Sequence, residues 1–155
     1  MTDRTEVRVT VAAGPTTLYE MVSDVTRMGE WSPENVGCTW LGGATGPAVG
    51  ARFKGKNQRG WRKWSTINEV VEAEPGQAFT FRTSSFGLKV ARWSYQFSGD
   101  DPAGPTTVTE SWTDERGRLI HVAGGVATGV GDRASHNKAG MQQTLDTLKA
   151  AAETS

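Results

Sequence analysis

Glu110 stands in a run, residues 106–114, in which Val108, Glu110 and Trp112 alternate with Thr107, Thr109, Ser111 and Thr113. Side chains two apart on an extended strand share a face. If Val108 and Trp112 point inward, Glu110 does too, and its charge must be paired or its pKa raised. A carboxyl so placed would serve as a polar anchor or an acid/base beside a ligand. Two plainer readings stay open: the strand's other face is the inward one, or Glu110 pairs with an arginine at a rim. Asn57 poses a similar choice, between hydrogen-bonding a ligand and being a satisfied structural amide.

Other reactive side chains are sparse. The two histidines, His121 and His136, lie apart, with no HExxH pattern and no carboxylate cluster, so neither metal nor cofactor is expected. His121 sits in a glycine-bearing segment, residues 117–131; it would reach a cavity mouth if that segment were a lid, and is otherwise simply exposed. No residue is assigned as catalytic, Glu110 and His121 being the candidates. The single cysteine, Cys38, excludes an intramolecular disulfide and a cysteine-rich zinc site. With no histidine near it in sequence, it reads as a buried structural thiol. The glycine runs at 42–46 and 124–125 fit neither a phosphate loop nor a dinucleotide fingerprint.

The chain that must position these groups has 155 residues, one domain's worth, spanning 1–155. A fold of this size buries roughly 68–70% of its unfolded surface, enough for a core with a cavity in it. Seventeen basic and seventeen acidic residues give a net charge of zero, which argues against nucleic-acid or anionic-membrane binding by bulk electrostatics. Residues 52–63 carry six cations and no acid; they read as a solvated hairpin face that discourages edge pairing, or as a patch for an anionic partner. No apolar run approaches the roughly 18 residues of a membrane span. The polar start, MTDRTEVRV, is unlike a signal peptide, so a cytoplasmic location is expected.

Periodicity supplies the elements. Residues 5–12 alternate, with Val7, Val9 and Val11 against Glu6, Arg8 and Thr10, and predict a strand. Gly14-Pro15 breaks it and opens a short helix over 16–23, with a further turn through Met28. Strands follow at 36–41, 50–58, 61–74, 77–85, 89–98 and 106–114, with turns at Arg59-Gly60, Pro75-Gly76 and Phe86-Gly87. Asp132 is a plausible N-cap for a long helix over 133–153, whose apolar stripe is Ala134, Met141, Leu145, Leu148 and Ala152. Strands that follow one another without helices pair antiparallel, because parallel pairs need long crossovers. About seven such strands and one long amphipathic helix make an α+β fold, the twisted sheet curling around the helix.

Facing follows from the same alternation. Phe53, Gly55 and Asn57 point inward against Arg52, Lys54 and Lys56; Phe79, Phe81 and Thr83 against Thr80 and Arg82; Trp93, Tyr95 and Phe97 against Arg92, Ser94 and Gln96. In 61–74 the set Trp64, Thr66, Asn68 and Val70 competes with Ile67 and Val71, which a bulge would reconcile. On the long helix His136 falls about 150° from the centre of the stripe and is expected in solvent, whereas Asn137 flanks the stripe beside Met141. A filled core could absorb these aromatics. Trp64, Trp93, Tyr95 and Trp112 together, beside Asn57 and Glu110, instead suit a pocket that is mostly apolar with a few placed polar groups.

This order of elements, with Met28-Gly29-Glu30-Trp31-Ser32-Pro33-Glu34, Phe53-Lys54-Gly55-Lys56-Asn57, Trp93-Ser94-Tyr95-Gln96-Phe97, Asp132-Arg133 and Gly140-Met141-Gln142-Gln143-Thr144-Leu145, resembles the START/Bet v1-like superfamily. It is most similar to bacterial members of the polyketide cyclase/dehydrase type. The resemblance implies a helix-grip fold with two short helices after strand one, and an apolar tunnel between sheet and helix. Such a tunnel holds a lipid, polyketide or other apolar metabolite. Candidate ligand-binding residues are then Phe53, Asn57, Trp64, Phe81, Trp93, Tyr95, Glu110, Trp112, Asn137 and Met141. The short helices and residues 117–131 would act as gates. A carrier or binding protein, acting as monomer or weak homodimer, is the expectation. The alternatives are a polyketide cyclase or dehydratase using the same pocket, and a structural or regulatory partner with no open cavity.

Overall fold

The computed structural model describes residues 4–116 and 133–154, the side chains of 133 and 134 excepted. The expectations placed on His121, segment 117–131, Asp132 and Ala134 lie outside the described residues. Seven strands are β1 (Arg4–Val11), β2 (Asn35–Trp40), β3 (Arg52–Arg59), β4 (Arg62–Glu74), β5 (Ala78–Ser85), β6 (Leu88–Ser98) and β7 (Thr106–Asp114). They form one antiparallel sheet in the order β1-β7-β6-β5-β4-β3-β2. The chain passes from one edge strand to the other through α1 (Pro15–Ser23), a 3-10 turn (Val25–Arg27) and α2 (Met28–Trp31). The long helix α3 (Arg133–Glu153) packs on β1 and β7 and makes this an α+β, helix-grip architecture.

Local chemistry accounts for the boundaries. Pro15 opens α1, where its missing N–H leaves no bond unmade, and Leu18, Tyr19, Met21 and Val22 form its buried face. The far end of α3 is tied to β1: Lys149 Nζ donates to the Thr10 carbonyl at 2.9 Å, and Glu153 Oε2 accepts from the Ala12 N–H at 2.8 Å.

The β3–β4 turn lies one residue later than expected. Arg59 pairs with Arg62, so Gly60-Trp61 is the two-residue loop. Gly60 takes φ 63° at its first position, the primed geometry that matches strand twist. The ambiguity within β4 resolves through a bulge between Val70 and Glu72. Trp64, Thr66, Asn68 and Val70 thereby all face inward, and Val71 is the extra residue. Further bulges at Val36 in β2 and Val90 in β6 were not foreseen.

The interior has two parts. Leu18, Phe79, Phe97, Val108, Leu145 and Leu148 are buried and fill the end that α1 closes. There the Tyr19 ring meets Phe79 and Phe97 edge-on, with centroids 6.4 and 6.1 Å apart. The other end, between β3–β7, α2 and the first half of α3, is left open by the described residues. None of the described helices is long and apolar enough to cross a membrane.

Candidate functional site

The described residues bound a cavity of about 530 Å³ at that second end. Small-molecule sites occupy roughly 300–1,000 Å³. β3 contributes Phe53, Gly55 and Asn57, β4 contributes Trp64, Thr66 and Asn68, and β5 contributes Phe81 and Thr83. Trp93 and Tyr95 come from β6, Glu110 and Trp112 from β7, and Asn137 and Met141 from α3. The fold thus brings all ten candidate ligand-binding residues to one space. Strand alternation explains it, because each strand presents every second residue to the same concave face. The walls are aromatic in character: Phe53 stands edge-on to Phe81 with centroids 5.2 Å apart, and Trp93 lies 6.5 Å from Trp112.

Glu110 faces inward, 2% exposed, so the reading that put the other face of its strand inside is set aside. Its Cα partner on β6 is Tyr95, whose hydroxyl donates to Glu110 Oε2 at 3.0 Å. Oε1 is buried and has no partner among the described residues. Burial pushes the Glu110 carboxyl up to about 8, and the Tyr95 hydrogen bond only partly opposes this. The Tyr95 phenol is itself raised, first by burial and then by the neighbouring Glu110. Among the described residues the arginine that lines the cavity serves another acid. Arg116 lines the cavity and binds Asp114 through two bonds of 2.9 Å, Nε to Oδ1 and Nη2 to Oδ2.

The remaining polar wall is largely self-satisfied. Asn68 Oδ1 accepts from Thr83 Oγ1 at 2.7 Å, while its Nδ2 donates to Thr66 Oγ1 at 3.2 Å. Asn57 Oδ1 accepts from Asn35 Nδ2 at 3.5 Å, and Asn35 Nδ2 also points to Cys38 Sγ at 3.4 Å. Cys38 is buried, as its strand position implied, and burial raises its thiol. Asn57 therefore has a structural partner at the edge of hydrogen-bonding range, with Asn35 a wall residue that the sequence reading missed.

His136 departs from expectation. It borders the cavity and its Nε2 lies 2.9 Å from Glu34 Oε2, with its side chain 32% exposed. The helical stripe marks the face that meets the sheet, but a second surface covers α3 from the other side. His136 and Gly140, one turn apart, both face the α2–β2 connection, where a Cβ on Gly140 would lie 3.5 Å from Pro33 Cγ. No periodicity could reveal this contact, since Glu34 sits in an irregular stretch. The Asp114–Arg116 pair, by contrast, joins residues two apart at the end of the last strand, a contact local in sequence.

Sequence comparison decides the family. The profile described as "Polyketide cyclase / dehydrase and lipid transport" matches residues 2–153, nearly the whole chain. The chain belongs to this family. Among solved structures it is similar to the polyketide cyclase-like protein Cgl2372 from Corynebacterium glutamicum. The two share 30% identity over 99% of this chain and 93% of that one, with a TM-score of 0.68. Major latex-like protein 151 from Panax ginseng aligns at 14% identity over 97% of both chains, with a TM-score of 0.72. The di-domain ARO/CYC StfQ from the steffimycin biosynthetic pathway aligns at 15% identity and a TM-score of 0.75, over 99% of this chain and 52% of its own. At those identities the last two establish the fold alone. No curated protein has a sequence similar enough to match.

Proposed function

We propose that this family member binds a small, mostly apolar molecule between the sheet and α3, as a carrier or binding protein. The observation that carries the proposal is the unfilled, aromatic-walled space of about 530 Å³ at the open end of a sheet whose other end is packed solid. Water against apolar walls of this extent is unfavourable, so an apolar ligand that displaces it is favoured. Apolar burial at about 25 cal/mol per Å² would drive binding, less the cost of ordering the ligand. The family's description, which includes lipid transport, supports the same reading. A closed structural or regulatory interior is less compatible with a space of this size.

The test is native mass spectrometry of the purified protein against the mass of the denatured chain. A discrete excess mass that dissociates as an apolar molecule is expected, or uptake from a panel of lipids and polyketides. A bare mass that no member of the panel changes would overturn the proposal. One observation favours a second reading, cyclase or dehydratase chemistry: Glu110 is a buried acid, hydrogen-bonded to Tyr95, in the cavity wall. The StfQ protein is described as an ARO/CYC, which is compatible with that chemistry on this fold. Turnover of a polyketide-like substrate that Glu110→Gln abolishes, with binding retained, would move the assignment there.

A further inference from the structure

We propose that Glu110 selects an uncharged ligand bearing a carbonyl oxygen, to which it donates a hydrogen bond from Oε1 while Tyr95 holds Oε2. This rests on the cavity being occupied by an apolar molecule, and it specifies that molecule's chemistry.

The argument begins with bond inventory. Tyr95 has one proton to give and gives it to Oε2, so Oε2 is an acceptor. A carboxyl group in a wall of tryptophan, phenylalanine and methionine side chains has no counter-charge among the described residues. The described titratable or charged groups of that wall, besides Tyr95, are Cys38 on β2, Glu34 before it, Arg116 beyond β7 and His136 on α3. Arg116 is bound by Asp114, Glu34 meets His136, and Cys38 is raised as a thiol; none compensates a negative Glu110. On β1 the Cα partner of Glu110 is Val7, which adds no charge.

A carboxylate there would be a buried, unpaired ion, which proteins avoid by keeping the group neutral. The proton then belongs on Oε1, the oxygen the phenol does not use, and that oxygen has no described acceptor. A buried O–H without an acceptor is a donor waiting for one. A ketone, aldehyde or ester oxygen supplies it and brings no charge into the cavity. The raised pKa of Glu110 accords with this assignment at neutral pH.

Two naphthalene probes that differ in one group test it: 6-propionyl-2-(dimethylamino)naphthalene, whose emission reddens when its carbonyl is hydrogen-bonded, and the 6-propyl analogue. The wild type should bind the carbonyl probe about tenfold more tightly at pH 6.5, with reddened emission. That advantage should fade as the pH rises through about 8, because the donor is lost when Glu110 ionises. Glu110→Gln keeps a donor, its amide N–H₂, and should keep the advantage with no pH dependence between 6 and 9. Glu110→Leu should abolish the advantage while leaving the propyl probe bound.

Equal affinity of the two probes, or Glu110→Gln losing the advantage, overturns the proposal. So does a preference for a primary-amine analogue that strengthens with pH, which would mark Glu110 as an anion. Should Glu110→Leu fail to fold, the glutamine variant alone separates donor from anion. Binding of neither probe to any variant overturns the occupancy reading and this inference with it, whereas binding of the propyl probe alone overturns only the latter.

Discussion

Tyr95 and Glu110 share one hydrogen bond of 3.0 Å, and its direction gives each a distinct influence on the other. A donated phenol proton stabilises the ionised carboxylate, so this bond pulls the Glu110 pKa down against the larger effect of burial. Tyr95→Phe should therefore move the Glu110 midpoint above about 8, and the pH at which carbonyl binding fades should rise with it. Carbonyl-region NMR of a glutamate-labelled sample reads the midpoint directly; a midpoint that falls or stays put would mean the phenol accepts rather than donates. The inward direction of Glu110 was legible because Val108 and Trp112 bracket it at a spacing of two. Its bond to Tyr95 was not, since that depends on the register of β6 against β7, which no single strand encodes. The His136–Glu34 contact was further out of reach, joining residues 102 positions apart through a segment without periodicity.

Elements were more legible than contacts. The long helix runs over the predicted residues, because its apolar stripe and its ends are local properties. Bulges at Val36 and Val90 were not legible, because a β-branched residue in a strand looks the same whether paired or extra. The helix also carries two different jobs along its length. Leu145 is fully buried in the packed half, while Met141, one turn earlier, is buried but borders the cavity. Leu145→Ala should destabilise the fold by about 2–5 kcal/mol, the range for a buried leucine that leaves an unfilled hole. Met141→Ala should cost clearly less, since part of that side chain already faces open space and has fewer contacts to lose. Urea unfolding of the two variants compares them on one scale; equal losses would mean that the packed and open halves of the interior are energetically alike.

At the scale of the molecule, antiparallel order and the α+β class followed from strands succeeding one another without helices. The aromatics Trp64, Trp93, Tyr95 and Trp112 beside Asn57 and Glu110 pointed to a pocket, but not to its size, because hydropathy counts the side chains facing inward and not the gaps between them. That space leaves a mark on global stability through Glu110. Its carboxyl sits at about 8 in the fold against an ordinary value near 4.5, so the folded state holds a proton that the unfolded chain releases first. Between those two values each pH unit removes about 1.4 kcal/mol of stability, and the loss levels off once the folded carboxyl also ionises. The wild type should therefore lose several kcal/mol from pH 5 to pH 8, with little further change from this group above 8. Glu110→Gln has no such proton to exchange. Its amide leaves a donor unsatisfied as the protonated carboxyl does, so the two proteins should be close in stability at pH 5 and Glu110→Gln should gain steadily on the wild type as pH rises. Thermal or urea unfolding of both proteins from pH 5 to 9 gives the difference curve. A difference that does not change with pH would mean that Glu110 ionises at an ordinary value, and that the apolar wall around it is open to water.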